Sequence, residues 1–444
     1  MISIFTPTHD PRWLAEAWES VRDQPGDWEW VIGCNVFRGV DAQPPLVGDV
    51  EAVVGHDHRV RVLQLGIVEG VGDAKRQLCE AARGDILVEL DHDDLLAPGA
   101  LADIEAAFAD ESIGFVYSDF AEFKEADGLP HVYAGSGWET STPALIHGRV
   151  LVPMLAFEPS ARSMAQILFA PNHVRAWRRS AYIEAGGHDP AMRVADDFDL
   201  MCRTYLTTRM VRIPKCLYVY RRRADGGNTW LAHCADIQAS CGQGANPSLP
   251  DCAQPMALRD KYIHRLVERE AVLRGLPLID LGGGLNCEPG WESMDVRPEA
   301  VHRWDVFGSK RLPFETSSVF AFRAFDFLEH GSDADALWLM DEIHRCLVPG
   351  GWLLSRTPHA MGIGASCDPT HISRWDERRF LYWCHSALTQ YLPPSDAPRG
   401  AFQPVRLYRE NLTLGPDPWR FDVPYVVADL VAMKGQREAG RSYL

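Results

Sequence analysis

Short apolar runs of strand length alternate with amphipathic helical stretches along most of this chain. That alternation leaves little room for anything but a mostly parallel sheet flanked by helices. Ile2-Ser3-Ile4-Phe5 reads as a buried strand that stops at Thr6-Pro7-Thr8. Trp13, Leu14, Ala17 and Val21 share one face of the helix that follows. Trp28-Glu29-Trp30-Val31-Ile32 and Val60-Arg61-Val62-Leu63 are further strands. Gly70-Val71-Gly72 opens a helix carrying Lys75, Arg76, Leu78 and Cys79, which Gly84 is expected to stop. Ile86 to Leu90 is the next strand, Leu101, Ile104 and Phe108 mark a helix, and Phe115-Val116-Tyr117 another strand.

The strand at Ile86 runs into three carboxylates, Asp91, Asp93 and Asp94. In extended backbone, residues two apart project to the same side, so Asp91 and Asp93 are expected to converge at the strand's end. Open α/β sheets place ligands there. Two converging carboxylates repel, and a hard divalent cation with phosphate oxygens as further ligands relieves the repulsion. The alternative is a solvated acidic turn that caps a helix from Pro98 onward.

The chain has 444 residues, 46% hydrophobic and 24% charged, as expected for two or three globular domains. A net charge of -17 disfavours nucleic acid as a partner. Met1 leads directly into a strand-like run, so no signal peptide is expected, and no apolar run is long enough to span a bilayer. Eleven scattered cysteines fit reduced thiols and a cytoplasmic location. His233, Cys234, Cys241 and Cys252 cluster, but without the spacing of a zinc site. Residues 231–255, rich in Gly and Pro, read as a linker or lid between domains at 1–230 and 256–444.

The second domain opens on a helix with Leu258, Tyr262, Leu266 and Val267 at helical spacing. Leu278-Ile279-Asp280-Leu281 then enters the turn Gly282-Gly283-Gly284, where glycines allow positive φ and close approach of a ligand. Trp291 to Asp295 is a strand ending in an acid placed to bind ribose hydroxyls. Ser332 and Asp335 form a capping box ahead of Leu337, Met340, Ile343 and Leu347. Pro349-Gly350-Gly351 is expected to end that helix, with Trp352-Leu353-Leu354 the next strand.

Residues 1 to about 230 resemble a family 2 glycosyltransferase of the GT-A, nucleotide-sugar-binding fold. The resemblance is carried by ISIFTPTHD, GVGDAKRQLCEAARGDILVELDHDD, VYSDF, RRSAYIEAGGHDP and ADDFDLMCR. It implies that Asp91 and Asp93 hold a divalent metal, Mn²⁺ or Mg²⁺, on a nucleotide-sugar diphosphate. It implies donor contacts at Thr6, Pro7, Lys75 and Asp91, and an acidic pair at Asp196-Asp197 whose second member takes the proton of an acceptor hydroxyl. Inverting transfer needs such a carboxylate, and an apolar frame such as Val194 to Leu200 raises its pKa; a helix N-cap is the other reading of Asp196. The chain departs from the family at Gly33-Cys34-Asn35, where acids usually contact base and ribose. It departs again at Tyr220 to Asn228, where Arg223 or Asp225 stands in the place of a His.

Residues from about 256 to 436 resemble a class I S-adenosylmethionine-dependent methyltransferase with a Rossmann-like fold. IDLGGG, GWESMDVRP, LPFETSSVFAFRAFDFLEH, EIHRCLVPGGWLLSRTPH and DPTHISRWDERRF carry this resemblance. It implies that Asp280, Gly282 and Gly284 cradle the methionine part, that Asp295 holds the ribose and that Asp305 lies by the adenine. His330, His359 and His371 are candidate bases, His371 foremost. The expectation is a bifunctional enzyme that attaches a sugar to a glycan, protein or lipid-linked acceptor and then O-methylates the glycan. The rival is a degenerate GT-A domain that binds a glycan and recruits it to an active methyltransferase.

Overall fold

The computed structural model describes residues 1–133, 138–167, 170–192, 195–225, 257–414 and 421–435. The expected linker, the His233–Cys252 cluster, Val194 and Gly226 to Asn228 lie outside the described residues. The chain divides into two compact units, Met1–Cys241 and Gly242–Leu444.

In the first unit the chain runs β1 (Ile2–Thr8), α1 (Leu14–Val21), β2 (Trp28–Phe37), α2 (Val47–Val54), β3 (Val60–Val68), α3 (Val71–Ala81), β4 (Ile86–Glu89), β5 (Leu95–Leu96), α4 (Ala100–Ala107) and β6 (Ile113–Lys124). Five short strands follow: β7 (Pro130–His131), β8 (Glu139–Thr140), β9 (Ala144–Ile146), β10 (Arg149–Leu151) and β11 (Met154–Leu155). The unit closes with α5 (Ala161–Gln166), β12 (Arg175–Arg178), α6 (Arg179–Glu184), α7 (Asp196–Thr207) and β13 (Arg209–Arg222).

The sheet order is β3-β2-β1-β4-β12-β6-β11-β8. β1 is parallel to both β2 and β4, while β12 inserts antiparallel between β4 and β6. Chain order therefore reverses between β1 and β4, which opens a crevice at their carboxyl ends. Ile4, Trp30, Val88, Leu101 and Val116, all fully buried, belong to the core that fixes these strands.

Two local expectations are corrected. α3 ends at Ala81, and Ala82 leaves it in extended backbone. Gly84 instead lies against the start of β1, where an added Cβ would stand 2.7 Å from the Met1 carbonyl oxygen and the Ser3 nitrogen. The acidic run is neither extended nor solvated. β4 stops at Glu89, and the Asp94 N–H donates to the Asp91 carbonyl at 3.2 Å, closing a turn with His92 and Asp93 at its centre. Asp93 and Asp94 are buried, and the helix beyond starts at Ala100 behind Gly99, with no side-chain cap.

The second unit holds β14 (Leu278–Leu281), β15 (Glu292–Asp295), β16 (His302–Arg303), β17 (Val319–Phe325), β18 (Leu347–Pro358), β19 (Ala401–Leu414) and β20 (Phe421–Met433). Their order is β16-β15-β14-β17-β18-β20-β19. All neighbours are parallel as far as β18, and β20 is antiparallel to both β18 and β19. Here the reversal falls between β14 and β17. The helix Ala257–Arg274 buries Tyr262, Leu266 and Val267, as its periodicity predicts. The helix Asp333–Cys346 carries the expected Ser332–Asp335 capping box. It ends before Pro349: β18 already begins at Leu347, and Gly350 at φ 76° lies in an irregular stretch of that strand.

Candidate functional site

At the carboxyl end of β4 sits a Glu89 side chain that is fully buried. A charge so placed needs partners. Lys75, from α3, forms an ion pair with Glu89 and lies 3.3 Å from Asp91 Oδ1. His173 Nε2 lies 3.0 Å from Glu89 Oε1, and its Nδ1 is 2.9 Å from the Tyr220 hydroxyl. Glu89, Asp91 and His173 each offer a ligand atom within 4.8 Å of the others, a set that suits a cation. Burial works against the Lys75 charge, yet Asp91 and Glu89 outweigh it and raise its pKa. Burial likewise opposes the Glu89 and Asp91 charges, and Lys75 and His173 hold both below the usual carboxylate range.

Asp93 and Asp94 behave oppositely. Burial and the Asp91 charge push Asp93 up to about 6. Burial, with Asp93 and Asp91 close by, raises Asp94 as well. Asp94 anchors the turn: it accepts from the Tyr218 hydroxyl at 3.0 Å and from the Arg221 N–H at 2.7 Å. The arginine run is not a solvated strand end. Arg221 Nε donates to the Asp93 carbonyl at 2.9 Å, Arg222 pairs with buried Glu122, and Arg223 stacks on Trp13 while pairing with Asp225.

The Asp196-Asp197 pair occupies the first turn of α7, behind Ala195 in left-handed conformation, so neither acid is the N-cap. Asp196 turns inward, and a Cβ on Gly72 of α3 would meet its Cβ at 2.9 Å. Burial and the neighbouring Asp197 charge push Asp196 up to about 7. Asp197 stays 35% exposed and takes an ion pair from Arg175 Nη1 at 3.1 Å. Arg175 lies opposite Glu89 in the β4–β12 register, which ties the acidic pair to the Glu89 cluster. Thr6 and Pro7 are buried; the Thr6 hydroxyl donates to the Leu90 carbonyl at 2.7 Å and accepts from the Trp30 indole at 2.8 Å. Thr6 thus holds β1 to the acidic turn. Asn35 is 1% exposed at the end of β2, and neither polar atom of its amide has a partner among the described residues.

Residues 3–182 match glycosyl transferase family 2. The O-antigen biosynthesis protein RfbC of Myxococcus xanthus is 31% identical over 123 residues, which is 27% of this chain and 9% of RfbC. The S. aureus TarS 1–349 structure in complex with UDP-GlcNAc is similar with a TM-score of 0.39 at 14% identity, over 65% of this chain and 76% of that 1–349 chain. The mannosyltransferase PcManGT from Pyrobaculum calidifontis, in complex with GDP-Man and Mn²⁺, is similar with a TM-score of 0.37 at 15% identity, over 62% of this chain and 74% of that one. The Lys75, Glu89, Asp91 and His173 cluster lies within the family 2 segment. Glu89 and His173 were missed in the sequence, although a Glu inside the apolar run Ile86 to Leu90 was itself a signal.

In the second unit the glycine turn follows β14. Gly282 takes φ 71° and Gly284 φ 42°. A Cβ on Gly282 would strike the Phe327 ring at 2.6 Å, so this glycine is required by packing as well as by backbone. A Cβ on Gly284 would stand 3.1 Å from Asp295 Oδ2, which sets that carboxylate beside the turn. Asp280 is buried beneath, and burial raises its pKa against the opposing pull of Arg323. The Asp305 carboxylate accepts from the Gly308 N–H at 2.8 Å and caps the helix Val306–Ser309. His359 lies 3.2 Å from Glu377, whereas His330 and His371 meet each other beyond β17 with ring centroids 4.9 Å apart.

Proposed function

We propose that the family 2 unit transfers a sugar, with inversion, from a nucleotide-sugar donor to an acceptor hydroxyl. The observation that carries this is the convergence of Glu89, Asp91 and His173 with Lys75 and Arg175 at the β1/β4 crevice. Two carboxylates and an imidazole suit a divalent ion such as Mn²⁺ or Mg²⁺; Asp93, which burial and the Asp91 charge push up to about 6, stands outside that set of three. When bound, such an ion neutralises the leaving diphosphate. Lys75 sets positive charge in the same place. Asn35 offers an amide donor and acceptor to a nucleobase edge, in the position where the family resemblance implies acids. Asp197, half-buried and oriented by Arg175, takes the acceptor proton, while Asp196 packs against α3 behind it.

The second unit, in this proposal, methylates a hydroxyl of the glycosylated product. The β14/β17 reversal, the positive-φ glycines and the adjacent Asp295 support a nucleoside-bearing cofactor there, and S-adenosylmethionine is the one the sequence resemblance implies. When bound, its sulfonium supplies an activated methyl group. Gly282 to Gly284 present backbone to it, and Asp295 accepts from ribose hydroxyls. The hydroxyl meets Glu329, His330 and His371 beyond β17, and loses its proton there. A cytoplasmic setting agrees with the unbridged cysteines among the described residues, and no helix among them is long and apolar enough to cross a membrane. The acceptor is a glycan, or a protein or lipid bearing one. Incubation with labelled S-adenosylmethionine, with and without sugar donors, tests the coupling. Methyl incorporation that requires the donor supports it, and equal incorporation in both separates the two activities.

A further inference from the structure

Glu329 follows β17 at the carboxyl edge of the second sheet and is 1% exposed. Its Oε2 accepts from the Thr357 hydroxyl at 2.6 Å, but its Oε1 has no hydrogen-bond partner among the described residues. His371 Nε2 faces that oxygen at 3.8 Å. The other ring nitrogen of His371, Nδ1, is 2.9 Å from the Gly364 carbonyl. A carbonyl only accepts, so Nδ1 carries the hydrogen and neutral His371 turns a lone pair from Nε2 toward Glu329. His330 repeats the pattern. Its Nδ1 is 3.3 Å from the Thr370 carbonyl and 3.1 Å from the Thr370 hydroxyl, whose own hydrogen goes to Asp368 at 2.6 Å. Asp368 Oδ2 also stands 3.8 Å from His371 Nε2, on the solvent side.

Acceptors thus converge, and among the described residues no Lys or Arg forms an ion pair with Glu329, His330 or His371. One ligand atom each from Glu329, His330 and His371 lies within 4.8 Å of the others. Metal-binding imidazoles usually donate their second N–H to a carbonyl or similar group, as both rings do here. The geometry points to a divalent transition-metal site formed by Glu329, His330 and His371. Two imidazoles and one carboxylate suit zinc, manganese, cobalt or iron better than calcium or magnesium, and leave coordination positions open. An open position accepts a substrate hydroxyl and makes its proton easier to remove. That use of the ion rests on the methyl-transfer reading, whereas binding of the ion does not. His371 then acts as a ligand, and the hydroxyl proton passes to solvent or to Asp368.

The test uses the full chain with Asp91→Asn and His173→Gln, which silences the first unit's cluster. The protein is stripped with chelator and titrated with Co²⁺. The expected result is visible d–d absorption saturating at about one equivalent, together with a raised Tm. His371→Gln and His330→Gln, each added to that background, should abolish both. Because Glu329 is buried, Glu329→Gln is read only alongside circular dichroism, and half-exposed His330 carries the test should that variant misfold. No absorption in the background protein, or absorption that survives both His variants, overturns the site. S-Adenosylmethionine binding is measured in parallel by calorimetry. Ion binding without it keeps the metal site and removes the methyl-transfer reading; the converse does the reverse.

Discussion

Glu89 shows how one buried charge organises a site. It sits at the last position of β4, opposite Arg175, with Lys75 and His173 on its carboxylate. Removing one partner of a buried pair strands the other, at a cost of about 3–5 kcal/mol. Lys75→Met should therefore lower the thermal midpoint of the first unit strongly, while exposed Lys215→Met should leave it nearly unchanged; calorimetry compares the two. Asp197 and Asp196 separate by rate. Asp197→Asn should bind donor normally and lose roughly two to four orders of magnitude in transfer rate; a crippled Asp196→Asn beside a near-normal Asp197→Asn would reverse the assignment. Asp196 also answers to pH. The Asp196 pKa is raised to about 7 in the folded chain, so its contribution to stability is complete below the ordinary carboxylate range. It is lost as pH rises through about 7. Asp196→Asn should accordingly lose less thermal stability between pH 5 and pH 8 than the wild type. In the sequence, Asp91, Asp93, Asp196 and Asp197 were legible because acids stand out at the ends of apolar runs. Glu89, His173 and Arg175 were not: their meaning comes from β12 inserting beside β4, a long-range pairing that no local pattern announces.

Elements were more legible than their ends. The strand–helix alternation predicted β1 to β4, α3, β14, β15 and the capping box at Ser332, because period and caps are local. The antiparallel β19–β20 pair has no such signature. One terminus went astray where a glycine answers to packing: Gly84 lies against β1 and does not stop α3, whereas Gly350, at φ 76° with nothing within 4 Å of an added Cβ, sits inside β18 and ends no helix. The same lesson recasts Gly282. Its φ of 71° and the Phe327 ring 2.6 Å from an added Cβ mean that Gly282→Val should destabilise the second unit as well as abolish cofactor binding. Asp295→Ala should weaken S-adenosylmethionine binding by about 1.5–3 kcal/mol per lost charged hydrogen bond and leave the thermal midpoint unchanged. Equal loss of binding and midpoint in both variants would mean that the turn is structural only.

At the scale of the molecule, two sheets with separate cores each switch chain order between parallel neighbours, at β1/β4 and at β14/β17, and acids and histidines lie at the carboxyl edge of each. Separate cores predict separable activities: Asp295→Ala should spare sugar transfer, and Asp93→Ala should spare S-adenosylmethionine binding. Turnover of a nucleotide sugar by the first unit is proposed to occur at the Glu89–Asp91–His173 cluster. Its most direct test is release of nucleoside diphosphate from a panel of nucleotide sugars by the full chain, with Mn²⁺ and with EDTA. Release from at least one donor is predicted with Mn²⁺, falling to background in EDTA and in Asp91→Asn but persisting in Asp295→Ala. No release from any donor, or undiminished release by Asp91→Asn, would contradict it.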